Sequence, residues 1–176
     1  PTLSEFHRSG SSVQAMRQQA GHWFALVRRM GDLSEQDSAV AEQFRALLRE
    51  VEVTAMTKSF KMVLLEALLE LDGLQQPVPL EMLAQRSRSV MDRRRPLLAD
   101  LPAEVRTIAA ADPAWARYWR DNPVRAWTGG NRPPGTTAPF KLEGSTFALT
   151  QSAPAEIAPA LAGMLQELVD YRLAAY

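Results

Sequence analysis

Residues 140–149, FKLEGSTFAL, break the otherwise helical pattern of this chain. Phe140 and Leu142 alternate with polar residues before Glu143-Gly144, a pair typical of tight turns, and Phe147 and Leu149 alternate after it. Helical patterns occupy most of the sequence on either side. We therefore expect a mostly α fold containing a winged-helix-like unit with one β-hairpin, preceded by a helical hairpin and followed by a C-terminal helix.

Two helical segments precede the predicted hairpin in the order of a helix-turn-helix. TKSFKMVLLEALLELDG (57–73) predicts a buried helix that stops at Asp72-Gly73. LEMLAQRSRSVMDRR (80–94) predicts a second helix with a basic outer face, and the proline-bracketed PVP (77–79) predicts a short extended piece between them. A buried helix, a turn and a basic helix match helix-turn-helix organisation.

The rest of the chain predicts helices on both sides of this unit. Residues 1–10 have the composition of a loop or incoming linker, and helical spacing over 11–30 and 34–51 indicates an antiparallel hairpin. The final helix is expected from about residue 153 to 176. The predicted domains are thus 1–56, a linker with a helical hairpin, and 57–176, a winged-helix-like DNA-binding domain with the C-terminal helix.

Composition limits the classes of protein to which the chain belongs. Its 176 residues are 46% hydrophobic and 23% charged, as in an ordinary soluble domain. No apolar run approaches 18 residues, so we expect no membrane partner. The absence of cysteine excludes disulfides and favours a cytoplasmic location. A first residue of Pro1 instead of Met favours a piece cut from a longer chain.

Catalytic side chains are scarce. The two histidines, His7 and His22, do not have metal-ligand spacing, and no glycine-rich phosphate loop occurs. Glu66 and Glu70 lie one helical turn apart, a spacing more typical of a solvated face than of an acid–base pair. We expect no independent enzyme, no metal and no cofactor.

Basic residues concentrate in the middle of a chain whose net charge is zero. Residues 57–142 hold 13 Lys or Arg against 9 Asp or Glu, a modest electrostatic footprint that is also compatible with simple surface solvation. On one helix, Arg86, Arg93 and Arg94 share a face, because seven residues make about two turns. Such a face is suited to neutralising several phosphates. The alternative is a solvated helix end, where arginines are also favoured.

The segment YWRDNPVRAW (118–127) combines tryptophans with arginines in an unusual way. Trp115 and Trp119 are four residues apart and are expected to share a buried helix face. Pro123 is expected to end that helix, because a proline pushes the preceding residue out of the α region. Arg125 and Trp127 then lie on an exposed corner suited to a sugar-phosphate backbone. In the alternative, Trp127 is a core residue and Arg125 its solvated neighbour.

Four stretches carry a resemblance to a known class. MTKSFKMVLLEALLELDG (56–73), NPVRAW (122–127), FKLEG (140–144) and LVDYRLAAY (168–176) together resemble the C-terminal accessory region of bacterial DEAD/DEAH-type (superfamily II) helicases of defence and restriction systems. The resemblance covers roughly residues 56–176 and includes no motor motif. It implies a non-catalytic accessory domain that helps a motor engage DNA, with helicase or nuclease domains of the same parent chain as partners.

A fainter resemblance concerns bacterial sulfur-binding domains, which recognise phosphorothioate-modified DNA. Pro123 and Ala126 have the spacing of the proline and small residue that line the sulfur pocket of that family. Asn122 stands where the family has an aromatic residue, which departs from the pattern.

The sequence therefore predicts a DNA-binding accessory domain that contacts the phosphate backbone and possible phosphorothioate groups. A protein-protein docking module that links a motor or nuclease to a partner is the alternative, and a structural spacer is the third. The residues expected to contact DNA are Arg86, Arg88, Arg93, Arg94, Arg95, Arg117, Arg120, Asn122, Pro123, Arg125, Ala126, Trp127, Arg132 and Lys141.

Overall fold

The computed structural model describes residues 1–130 and 132–176, which form two compact units. The first unit comprises Pro1–Ala55 and Ala155–Tyr176, and the second comprises Met56–Pro154. A boundary near residue 56 agrees with the sequence-based division. The C-terminal helix does not, because its contacts place it in the first unit instead of the second.

The helices and strands follow one another along the chain with short connections. They are α1 (Leu3–Arg8), α2 (Val13–Ala20), α3 (Trp23–Arg29), α4 (Glu35–Gln43), α5 (Arg45–Val53), α6 (Phe60–Glu70), β1 (Val78–Pro79), α7 (Leu80–Arg93), a 3₁₀ segment (Arg95–Asp100), α8 (Ala103–Arg106), α9 (Pro113–Trp119), a π turn (Arg120–Val124), α10 (Arg125–Trp127), β2 (Phe140–Glu143), β3 (Thr146–Leu149) and α11 (Ala158–Ala174).

The first unit contains more and shorter helices than the sequence predicted. Thr2 and Glu5 form a reciprocal capping box that begins α1 where a loop was expected. Gly21, with φ of +87°, ends α2, so the predicted helix over 11–30 is two helices. Phe44, with φ of −105° and ψ of 20°, leaves the helical conformation and separates α4 from α5. The chain thereby turns often enough for α11 to pack against α1, α4 and α5.

A buried carboxylate organises the core of the first unit. Glu52 is 1% exposed and accepts hydrogen bonds from Arg17 Nε at 2.7 Å and from the Trp23 backbone N–H at 2.9 Å. From α11, Arg172 donates to the backbone carbonyls of Glu52 and Thr54. A buried charge is tolerated only with such partners, so this network specifies how α2, α5 and α11 meet.

The second unit is winged-helix-like, as the sequence predicted. Its central helix α6 is buried on nearly all sides and packs against α7, which in turn packs against α9. The hairpin of β2 and β3 forms at the predicted place, with Phe140 opposite Leu149 and Leu142 opposite Phe147. The short strand β1 pairs antiparallel with β3, giving the sheet order β1-β3-β2.

Local sequence signals account for the ends of several elements in this unit. Val78–Pro79 supplies the extended piece that PVP predicted. Asp112 caps α9 by accepting from the Ala114 N–H at 2.8 Å, with Pro113 at the first helical position. Cross-strand packing of Phe140 on Phe147, with ring centroids 5.0 Å apart, holds the hairpin against the core.

Candidate nucleic-acid interface

The helix that begins at Pro113 does not end at Pro123. A π turn over Arg120–Val124 carries it on to Trp127, and the Arg125 N–H bonds to the carbonyl of Arg120, five residues earlier. Pro123 has no N–H to donate, and its ring would clash with the carbonyl four residues before it in a regular α-helix. The wider turn accommodates the proline. The predicted helix end at Pro123 is therefore wrong.

The π turn keeps the tryptophans on one side of this helix. Eight residues of α-helix rotate by about 800°, which would place Trp127 about 80° away from Trp119. An i→i+5 turn contains one extra residue that adds no rotation, so the rotation from Trp119 to Trp127 is about 700°, close to two full turns. The two indoles therefore lie on nearly the same side of the helix. Trp115 and Trp119 are fully buried, and Trp127 is 1% exposed.

Three arginines lie on the opposite side. By the same count, Arg117, Arg120 and Arg125 lie roughly 120–200° from the tryptophan side, and all three are exposed. We call these three residues the arginine face. Arg120 pairs with Asp121 at 3.1 Å, and both side chains are about half exposed. In the part of the chain that the structure describes, Arg117 and Arg125 have no ion-pair partner.

A cleft of about 480 Å³ borders the arginine face. Its lining includes Arg117 and Arg120 on one side and Ser145, in the turn of the β-hairpin, on the other. The start of α7 also contributes, with Glu81 as a carboxylate among the lining residues. The outer face of α9 and the hairpin turn thus open onto one concave surface.

The basic face predicted on α7 turns towards α6. Arg86 and Arg93 both pair with Glu70, Arg86 at 3.3 Å, and Arg94 pairs with Glu66 at 3.2 Å. The three arginines do share a face, as their spacing predicted. Their charges are nevertheless offset by the two glutamates that the sequence assigned to a solvated face. This placement favours helix packing as their role over phosphate binding.

Arg88 is drawn further into the protein. Its guanidinium lies over the Trp115 ring, 5.2 Å from the centroid, and donates to the carbonyls of Arg106 at 2.8 Å and Ile108 at 3.2 Å. Only 12% of its side chain is exposed. The structure therefore places Arg88 as a packing residue, in contrast to its predicted contact with DNA.

The structure agrees with the alternative interpretation of Arg125 and Trp127, in which the tryptophan belongs to the core and the arginine is solvated. Trp127 donates its indole N–H to the carbonyl of Lys61 at 3.1 Å and packs edge-on against Phe140. It is a core residue, while Arg125 is exposed. Pro123 is buried and Ala126 half-buried. Burial of Pro123 gives no support to an open sulfur pocket at the predicted position.

The remaining predicted contacts are scattered around the unit. Asn122 is exposed and donates to the carbonyl of Tyr118 at 2.8 Å. Lys141 on β2 pairs with Glu143 at 2.7 Å, and Arg132 donates to the carbonyl of Thr137. Arg95 is exposed just beyond α7. None of these four lies in the cleft lining.

Sequence reasoning missed Glu81 and Ser145 as cleft residues, because only the fold brings β1, α7 and the hairpin turn together. A signal for the arginine face was present. Trp119 and Trp127 are eight residues apart with a proline between them. Two residues at this spacing lie on the same side of a helix only if the helix contains the extra residue of a π turn.

Residues 1–130 and 132–176 contain no group of three or more His, Asp or Glu side chains placed to hold a metal ion. No helix within these ranges has the length and apolar character needed to cross a membrane.

Comparison with known proteins finds no matching family model, no matching curated protein and no matching solved structure. Functional argument therefore rests on the geometry of this chain.

Proposed function

We propose that residues 56–154 form a non-catalytic DNA-binding module whose contact surface is the arginine face. The observation that carries this proposal is the separation of the helix over 113–127 into a buried tryptophan side and an exposed arginine side. A helix anchored by three buried indoles fixes the backbone positions from which the arginines project. Rigid presentation lowers the entropic cost of binding.

The spacing of the arginines suits a nucleic-acid backbone. From Arg117 to Arg125 the helix advances about 12 Å at 1.5 Å per residue. One DNA strand presents a phosphate about every 3.4 Å along its axis, so the three guanidiniums can reach separate phosphates. Arginine forks also match the geometry of phosphate oxygens.

Three arginines stand against two nearby carboxylates, Asp121 and the cleft residue Glu81, so the local charge remains positive and supports an anionic ligand. Asp121 offsets part of Arg120, but the pair is exposed and worth at most about 1 kcal/mol, so a phosphate can replace the carboxylate at small cost. The arginines of α7 are held by Glu66 and Glu70. The interface is therefore proposed on the later helix instead of on α7.

Such contacts position a protein on DNA without specifying a sequence. The module is thus proposed to hold DNA for another activity, in keeping with the helicase-accessory role that the sequence resemblance implies. Catalytic and phosphorothioate-reading roles are not needed for this proposal.

The test is binding of a 20-base-pair duplex and the matching single strand, followed by fluorescence anisotropy at several salt concentrations. Replacement of Arg117, Arg120 and Arg125 by Gln is expected to weaken binding of unrelated sequences equally. It should also reduce the slope of log affinity against log salt by about 3, one for each lost phosphate contact.

Arg8→Gln is the matched control, since Arg8 is an exposed arginine of the first unit whose side chain, among the described residues, bonds only to the carbonyl of Ser4. An unchanged salt slope in the triple variant, with the fold intact, would remove the arginine face from any interface. Absence of DNA binding by the unaltered chain would overturn the proposal and favour the docking-module hypothesis.

A further inference from the structure

A second basic site lies in the first unit and shares no residue with the proposed DNA-binding module. It is a pocket of about 220 Å³ between the end of α2, the start of α3 and the junction of α4 with α5. The polar residues that line it are His22, Arg28, Arg29, Glu42, Arg45 and Arg49.

Positive charge in this pocket exceeds what its surroundings neutralise. Glu42 is the only acid in the lining, and it is shared by Arg28 at 3.3 Å and Arg45 at 3.5 Å. Arg29 donates to an uncharged acceptor, the carbonyl of Gln19. Arg49 is exposed and has no partner among the residues that the structure describes. Four arginines against one glutamate leave a formal charge of +3.

His22 gives an independent indication that a ligand belongs here. His22 is one of the lining residues although it is only 7% exposed, and its buried Nδ1 has no hydrogen-bond partner among the residues that the structure describes. A buried polar nitrogen without a partner is unfavourable, because it has lost its hydrogen bond to water. An imidazole in the wall of an arginine-lined pocket is suited to hydrogen bonding with an oxyanion.

We propose that this pocket binds a phosphate group. A dianionic phosphate monoester carries about −1.5 to −2 charges at neutral pH, which suits the excess of about +3 better than a single carboxylate does. Arginine forks are matched to phosphate oxygens. The volume exceeds the roughly 30 Å³ share of one water several-fold, so the pocket accommodates a phosphate with part of its substituent.

The phosphate has two possible sources, a small phosphomonoester or the backbone of a nucleic acid. Calorimetric titration of the full chain with inorganic phosphate and glycerol phosphate tests the first, and titration with an oligothymidylate that lacks terminal phosphates tests the second. Sodium chloride at equal ionic strength provides the blank. The arginine face of the second unit can also bind the oligothymidylate, so saturable binding supports this site only where it depends on Arg45 and Arg49. The titration that shows such binding identifies the source.

Two variants make the test specific. Arg45→Gln with Arg49→Gln is expected to weaken phosphate binding at least about ten-fold, while Glu42→Gln is expected to strengthen it several-fold, because it removes the only negative charge. If the variants only changed the stability of the fold, they would not weaken phosphate binding in one case and strengthen it in the other. Arg8→Gln is the control and is expected to leave phosphate binding unchanged.

The histidines provide a structural readout, since the chain contains only His7 and His22. Phosphate is expected to shift the proton NMR signals of His22 and leave those of His7 in place. The same heat in chloride as in phosphate, or equal binding by all variants, would overturn the proposal. Loss of DNA binding through Arg117, Arg120 and Arg125 would leave it untouched, so the two proposals fail separately.

Discussion

The indole N–H of Trp115 donates a 2.7 Å hydrogen bond to the backbone carbonyl of Ala84, and this bond joins α9 to the middle of α7. Both residues are fully buried. The buried side of α9, opposite the arginine face, is thus stabilised by this hydrogen bond and by the stacking of Trp115 on Trp119, whose ring centroids lie 5.1 Å apart.

Trp115→Phe is expected to lower the free energy of unfolding by about 1–3 kcal/mol or more. The substitution leaves the Ala84 carbonyl buried without its donor and creates a small cavity. Chemical denaturation measures the change. A Tyr118→Phe variant serves as the aromatic control at a less buried position. A stable Trp115→Phe protein would show that the hydrogen bond contributes little.

Arg94 is expected to matter more for stability than Arg93, although the two are neighbours. Arg94 pairs with Glu66, whose side chain is 10% exposed, whereas Arg93 pairs with Glu70, at 28%. Removing a partner from the more buried carboxylate costs more. We expect about 1–3 kcal/mol for Arg94→Gln and at most about 1 kcal/mol for Arg93→Gln, measured by urea unfolding. Equal losses would contradict the packing role inferred for Arg94.

Arg93→Gln combined with Arg94→Gln also tests the sequence-based prediction that the arginines of α7 bind phosphates. If Arg93 and Arg94 bind phosphates, the double variant flattens the salt dependence of DNA binding. With both arginines held by glutamates, we expect that dependence to be largely retained. A slope that falls by about 2 would return α7 to the interface.

Two glycines are expected to respond in opposite ways to alanine. Gly163 lies within α11, and an added Cβ meets nothing within 4 Å, so Gly163→Ala should stabilise the protein by about 0.5–1 kcal/mol. At Gly130 a Cβ would lie 2.6 Å from Arg125 Cγ and 2.9 Å from the Arg125 carbonyl oxygen. Gly130→Ala is therefore expected to lower the melting temperature and to disturb Arg125. A neutral Gly130→Ala would show that this loop moves easily away from α10.

Stability is expected to fall as the pH decreases through about 6.5. Burial lowers the pKa of His22, with Arg45 and Arg49 acting in the same direction and Glu52 and Glu42 opposing them. The unfolded chain then binds a proton at higher pH than the folded chain, so stability is lost as pH falls from the ordinary histidine pKa towards the lower folded pKa.

Thermal melts between pH 5 and pH 8, in a buffer without phosphate, measure this effect. His22→Gln is expected to weaken the pH dependence in this range, and His7→Gln is the matched control. An identical pH profile for wild type and His22→Gln would contradict the argument from burial.

Short-range signals in the sequence were enough to predict much of the fold. The alternation around Glu143-Gly144 predicted the hairpin and PVP predicted an extended piece that is β1, while Asp112-Pro113 is a local signal that begins α9. Each of these depends on backbone preferences and caps within a few residues. Such preferences act before any distant part of the chain is in place.

The candidate interface depended on partners that are distant in sequence. The sequence predicted that Arg86, Arg93 and Arg94 share one face. Their ion-pair partners on α6 were decided by the packing of α7 against α6. The π turn that aligns Arg117 with Arg125 is stabilised by burial of Trp127 against Lys61 and Phe140, more than 10 residues away along the chain.

The sequence by itself determined a mostly helical chain, one hairpin and where several elements begin, because caps, turns and periodicity are local properties. Only the tertiary structure decided that α11 completes the first unit, that Arg86, Arg93 and Arg94 pair with Glu66 and Glu70, and that Arg117, Arg120 and Arg125 form one exposed face. Which charges pair, and which side chains share one side of the helix that contains the π turn, depend on the packing of segments distant in sequence. In that packing, burial of large side chains outweighs the local backbone preferences of single residues.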